Sequence, residues 1–113
     1  MEQSKRQLQV GNLVQKELSH IIQHKFNGLV PGRLLTVTNV KMTPDLSIAR
    51  ISLSIFPSND GEAIIKEINK QVSPIRFELG NALRNNLKKI PELVFYLDDS
   101  LDQSEKIDQL LKK

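Results

Sequence analysis

The chain has 113 residues, 39% of them hydrophobic and 4% aromatic, enough apolar matter for one core without metal or disulfide support. It holds no cysteine, which excludes disulfide frameworks, thiolate zinc sites and cysteine nucleophiles and suits a reducing cytosolic setting. Sixteen Lys and Arg against thirteen Asp and Glu leave a formal charge of +3 and a pI near 9.3, a mild bias towards polyanionic partners.

The opening MEQSKRQ is charged, and no apolar run approaches the roughly 18 residues that span a bilayer, so a cytoplasmic protein with no membrane partner is expected. From about Ser4 to Phe26, the residues Val10, Leu13, Val14, Leu18, Ile21 and Ile22 recur at three- and four-residue steps, one face of a helix. Asn27 and Gly28 are expected to end it, glycine accepting the left-handed backbone of a C-cap, and Pro31-Gly32 extends the break. The polar side carries Lys5, Gln9, Asn12, Lys16, His20 and Gln23. It is either a solvated face or, at Lys5 and Lys16, a phosphate contact. Arg6 lies at the edge of the apolar stripe, where its stem packs and its guanidinium reaches out. His20 and His24 have i, i+4 spacing but lack an acidic third ligand and an intervening glutamate, so neither metal nor other cofactor is expected.

Leu34 to Met42 and Ile48 to Phe56 are rich in β-branched residues and flank Thr43-Pro44-Asp45-Leu46-Ser47, the pattern of an antiparallel hairpin. In the second strand Ala49, Ile51, Leu53 and Ile55 alternate with Arg50, Ser52 and Ser54, so one face is buried and the other meets solvent or a ligand. Arg50 shares that outer face with Tyr96, either as an internal cation–π pair or as an RNA contact.

After the loop at Pro57-Ser58-Asn59-Asp60-Gly61, the residues Ala63, Ile64, Ile65, Ile68 and Val72 mark a short helix. Pro74 is expected to stop it at Ser73 and to open a third helix in which Ser73 is the N-cap. That helix is expected to reach about Leu87, with Ile75, Leu79, Ala82 and Leu83 facing inward and Gly80 allowing a close helix crossing. Phe77, Asn81, Arg84 and Lys88 form a stripe on the opposite side. One reading makes it a stacking platform for an unpaired base, flanked by phosphate-binding cations; the other packs Phe77 beneath the loop after the first helix. Lys88-Lys89 is either part of that surface or an ordinary cation placement at a helix C-terminus.

Leu93 to Leu97 reads as a third strand, and Ser100 or Leu101 to Leu111 as a short terminal helix. Asp98 and Asp99, with Asp102, are either capping residues around the start of that helix or, in the only enzymatic reading on offer, paired carboxylates or a cation site. No repeat or linker interrupts residues 1–113, so a single domain is expected. The order α-β-β-α-α-β with a terminal helix predicts an α+β fold of the type II KH kind, a three-stranded sheet with helices on one face. KH domains grip nucleic acid backbone at a GXXG turn between two helices. Here that place reads Val72-Ser73-Pro74-Ile75, so phosphates would be held by the helix N-terminus at Ser73 and by side chains.

Three segments together carry a family likeness: RQLQVGNLVQKEL from Arg6, VTNVKMTPDLSIARISLS from Val37, and IRFELGNALRNNLKKIPELVFYLDDSLDQSEKIDQLL from Ile75. The chain resembles the ribosome-binding factor A family, most specifically in TPDLS, in LG followed by LR, and in IPEL with DDSL. The resemblance implies a non-enzymatic cytoplasmic factor that binds the small (30S) ribosomal subunit or its precursor; a monomer is expected separately, because no long unsatisfied apolar face is left over. It also implies a role in late maturation of 16S rRNA, needed most in the cold. By matching position, Arg76 and Arg84 are the family-like arginines of the third helix and Lys16 belongs to the family-like QKEL. The competing class is a protein-interaction module of the same fold with little RNA affinity, docking on ribosomal proteins or on an assembly GTPase.

Overall fold

In the computed structural model of the chain, residues 3–26, 28, 30–57 and 59–98 are described. They form α1 (Lys5–Lys25), β1 (Leu34–Met42), β2 (Ile48–Phe56), α2 (Gly61–Lys70), α3 (Val72–Leu83) and β3 (Glu92–Leu97), in that order. The expected terminal helix lies outside the described residues.

A reciprocal cap starts α1: Ser4 Oγ accepts from the Gln7 amide at 3.1 Å, and Gln7 Oε1 accepts from the Ser4 amide at 2.8 Å. The same Gln7 is buried, and its Nε2 donates to the Met42 carbonyl at 2.9 Å, fixing the start of α1 to the end of β1. At the other end Phe26 is the C-cap. Among the described residues, the glycine with a left-handed backbone is Gly32, at φ 77. Pro31-Gly32 makes a tight turn in which the Arg33 amide donates to the Val30 carbonyl, and that turn needs the positive φ.

β1 and β2 pair antiparallel from Leu34↔Phe56 to Met42↔Ala49, with an irregularity between Val37 and Asn39 that gives the bulged strand an extra residue at Thr38. β3 lies parallel to β2, so the sheet order is β1-β2-β3. The hairpin turn is held by Asp45, whose Oδ1 accepts from Thr43 Oγ1, Ser47 Oγ and the Ser47 amide at 2.8, 2.7 and 3.1 Å. Leu46 takes the left-handed backbone that closes the turn.

Val37, Val40, Ala49, Ile51, Leu53, Leu93 and Phe95 face the helices and join Val14, Leu18, Ile68, Ile75 and Leu79 in the core. The alternate strand residues stay at the surface, so all three helices cover one face and the other is open. This is the type II KH arrangement.

The junction of α2 and α3 departs from the sequence expectation. α2 ends at Lys70, Gln71 alone separates the helices, and Ser73 and Pro74 lie in the first turn of α3. Ser73 is therefore not the N-cap. In an unbroken helix the Pro74 ring would collide with the Lys70 carbonyl, so the break falls between those residues. A first-turn proline then withholds an amide hydrogen that has no partner within the helix anyway. α3 also ends earlier than expected, at Leu83, although Leu87 is still buried, because the chain turns through Arg84–Asn86. Ala82 is exposed rather than inward, since Ile75, Leu79 and Leu83 define a narrower buried stripe. A methyl group placed on Gly80 would meet only Ile90 Cγ1, at the ordinary distance of 3.5 Å, so no close helix crossing requires a glycine there.

Candidate nucleic-acid interface

The loop between α3 and β3 divides two surface grooves. The first, about 530 Å³, runs along the α2–α3 junction and is lined by Ser73, Arg76, Phe77, Gly80, Asn81 and Ile90, among others. Phe77 stands on it with 67% of its surface exposed, so it is not packed beneath the loop after α1. An exposed ring beside an asparagine and a backbone junction offers a face for base stacking. Arg76 sits at the groove but also braces the fold, because its Nε donates to the Pro91 carbonyl at 3.0 Å and its Nη2 to the Ile90 carbonyl at 2.7 Å. These bonds hold the loop that feeds β3, and the remaining guanidinium hydrogens are available to an anion.

The second groove, about 550 Å³, lies on the far side of Ile90-Pro91. It brings together Arg6 from the first turn of α1, the hairpin turn at Asp45–Ser47, and Lys88 and Lys89. All three cations are exposed, and none forms an ion pair among the described residues. Lys88 and Lys89 lie beyond the end of α3, whose last turn carries no basic residue, so a helix-end placement does not explain them. The one acid in the groove, Asp45, is occupied by its own turn; the hydrogen bonds from Ser47 and Thr43 hold its carboxyl below the ordinary value of 3.8.

The remaining candidates scatter. Lys5 is exposed at the start of α1, and Lys16 lies 11 residues further along it, roughly 16 Å away at about 1.5 Å per residue. Arg84 caps the end of α3 and lines neither groove. Arg50 is on the open sheet face, with no cation–π contact to Tyr96 among the described residues; Val94 is its partner on β3, and Tyr96 is opposite Ser52. The residue that sequence reasoning missed is Lys41, the cross-strand partner of Arg50. Counting outward from the TPDLS turn, as the hairpin register does, was the signal available for it.

The family model for ribosome-binding factor A matches residues 6–111. The chain belongs to that family. A ribosome-binding factor A of Christiangramia forsetii is 43% identical over 114 residues, covering 99% of this chain and 86% of the relative. One from Flavobacterium psychrophilum is 38% identical over 111 residues, covering 96% and 85%. Among solved structures, the crystal structure of ribosome-binding factor A from Thermus thermophilus superposes with a TM-score of 0.63 at 20% identity, covering 80% of this chain and 94% of that one. A Thermus thermophilus ribosome binding factor A homology model, fitted into the cryo-EM map of a 30S complex, gives 0.62 at 19% identity, covering 79% and 91%. At such identities the structural likeness speaks for the fold. Within the ribosome-binding factor A frame, the grooves on either side of Ile90-Pro91 collect Arg6, Ser73, Arg76, Phe77, Lys88 and Lys89, six of the ten residues expected from sequence to touch RNA.

Proposed function

We propose that the chain is a non-enzymatic assembly factor that binds the small ribosomal subunit or its precursor through rRNA, assists late maturation of 16S rRNA, and matters most in the cold. The whole chain acts as one RNA-binding unit in the cytoplasm, as a monomer. The observation that carries the reading is the convergence of Arg6, Lys88 and Lys89, from opposite ends of the chain, beside a groove that displays Phe77. Cations without acidic partners are held apart by their own repulsion and gain most from a polyanion, and an exposed ring next to them suits an unpaired base. Family membership and the Thermus structure fitted to a 30S map point to the same target. Recognition is mostly of shape and phosphate, because only 4% of the residues are aromatic.

The test is equilibrium binding of the purified chain to purified small subunits as KCl rises. With about three phosphate contacts, affinity falls roughly 40-fold between about 50 and 200 mM salt. Affinity that hardly responds to salt counts against the reading. It would favour docking on a ribosomal protein or an assembly GTPase, for which the cross-strand pair Leu34–Phe56, exposed by 63% and 71%, offers an apolar surface.

A further inference from the structure

Lys41 and Arg50 are direct cross-strand partners in the β1–β2 hairpin and are both exposed on the open sheet face. Like charges placed opposite each other in an antiparallel pair destabilise the pair, and among the described residues no acidic side chain lines their groove to relieve them. Neither forms an ion pair among the described residues; Glu92, the nearest acid by register, lies opposite Ile48 and is not bonded to Arg50. The two cations line a third groove, about 600 Å³, with Gln3, Ser4, Thr43 and Pro44. Its rim is the start of α1, whose first turn carries Lys5 and Arg6 and no acidic residue, although the positive end of a helix dipole favours the reverse. Two independent arrangements that each cost stability thus concentrate uncompensated positive charge at one place. The Ser4 and Gln7 amides of that helix start are engaged in their reciprocal cap, and the charged groups that line the groove are Lys41 and Arg50.

We infer that the Lys41–Arg50 groove is a second phosphodiester-binding site, which takes an RNA backbone on the open sheet face, separate from the grooves beside Ile90-Pro91. The inference rests on the reading that the chain binds rRNA and adds to it a geometry. Arg6 and the hairpin turn line the neighbouring groove, while Lys41 and Arg50 face away on the sheet, so the α1 start and hairpin tip form a wedge with phosphate contacts on both flanks. Such a wedge spans two strands or two turns of a folded RNA, which suits a factor that reads shape.

The experiment compares the parent chain with Lys41→Glu and with Lys41→Gln/Arg50→Gln, in thermal unfolding and in binding to purified small subunits across a KCl series. Lys41→Glu converts a repelling pair into an attracting one, so its Tm rises, by roughly 1–4 °C. Its affinity nonetheless drops about tenfold or more, and the double Gln variant flattens the log–log salt slope by about 1.5. A variant that is folded and matches the parent in affinity and slope overturns the inference while leaving rRNA binding intact. A parent chain whose affinity ignores salt overturns both. If the variants lose affinity for whole subunits but bind protein-free 16S rRNA as the parent does, the occupant is an acidic protein segment and the RNA assignment fails.

Discussion

The side-chain amide of Asn69 pairs with both peptide groups of Phe95: Oδ1 accepts from the Phe95 amide at 2.9 Å, and Nδ2 donates to its carbonyl at 3.0 Å. Among the described residues β3 is an edge strand, with β2 on one side, and Asn69 from α2 stands in for the next strand. The opposite edge is treated alike. Gln7 donates to the Met42 carbonyl, Gln3 accepts from the Met42 amide, and Gln15 donates to the Thr38 carbonyl. Blunted edges resist strand-to-strand association.

Replacing Asn69 with Leu strands the partly buried amide and carbonyl of Phe95. A loss of about 2–3 kcal/mol in urea unfolding is expected, together with a greater tendency to associate. Light scattering during refolding checks the second effect. Unchanged stability would mean that water serves the edge as well as the asparagine does.

Arg76 and Arg84 separate by function although both belong to the same helix region. Arg76→Ala removes the two bonds to the Ile90 and Pro91 carbonyls and is expected to cost about 1–3 kcal/mol in unfolding. Arg84→Ala, exposed and without such bonds, is expected to stay within about 0.5 kcal/mol of the parent.

The glycines of α1 and α3 predict opposite signs. A methyl at Gly11 meets the Val40 carbonyl oxygen at 3.0 Å, and because that neighbour is backbone, Gly11→Ala forces α1 away from β1. A net loss of about 1–2 kcal/mol is expected after the helix-propensity gain. At Gly80 there is room, so Gly80→Ala should stabilise by up to about 1 kcal/mol. Paired unfolding curves test both.

Phe77→Ala leaves stability within about 0.5 kcal/mol, because the ring is already exposed, yet weakens subunit binding by about 1 kcal/mol or more if a base stacks on it. Phe77→Tyr should retain binding, since it keeps the ring face.

Asp45 gives the hairpin a defined acid response. Its folded pKa lies below the unfolded value near 3.8, so its contribution is complete above that value and is lost as pH falls through the folded pKa. The expected sign is loosening of the Thr43–Ser47 turn below about pH 4. An NMR titration of the Asp45 carboxyl and the Ser47 amide reads it directly, and Asp45→Asn should abolish the transition.

Much of this was legible in the residues themselves. The helical period of Val10, Val14 and Leu18 and the alternation in Ala49–Ile55 marked α1 and β2, because one face of each is buried and the other is not. Pro74 marked the break between α2 and α3 but misplaced it, since a proline can occupy any first-turn position and local pattern does not choose among them. The end of α3 was misread because Leu87 keeps the helical spacing and is buried by the loop that Arg76 pulls in. The candidate site was less legible. Arg6 becomes a neighbour of Lys88 and Lys89 only through the packing of α1, which separate positions in sequence do not display, whereas the pairing of Lys41 with Arg50 follows from counting outward from the hairpin turn.

The measurement that bears most directly on rRNA binding is sedimentation of the tagged chain through sucrose gradients of cell lysate at low and moderate salt, beside Arg6→Glu/Lys88→Glu/Lys89→Glu. The parent should travel with small subunits at low salt and partly leave them at moderate salt, while the folded triple variant remains at the top. Co-migration of the variant at both salts, or absence of the parent from the small-subunit fractions at both, would contradict an interface built on these cations.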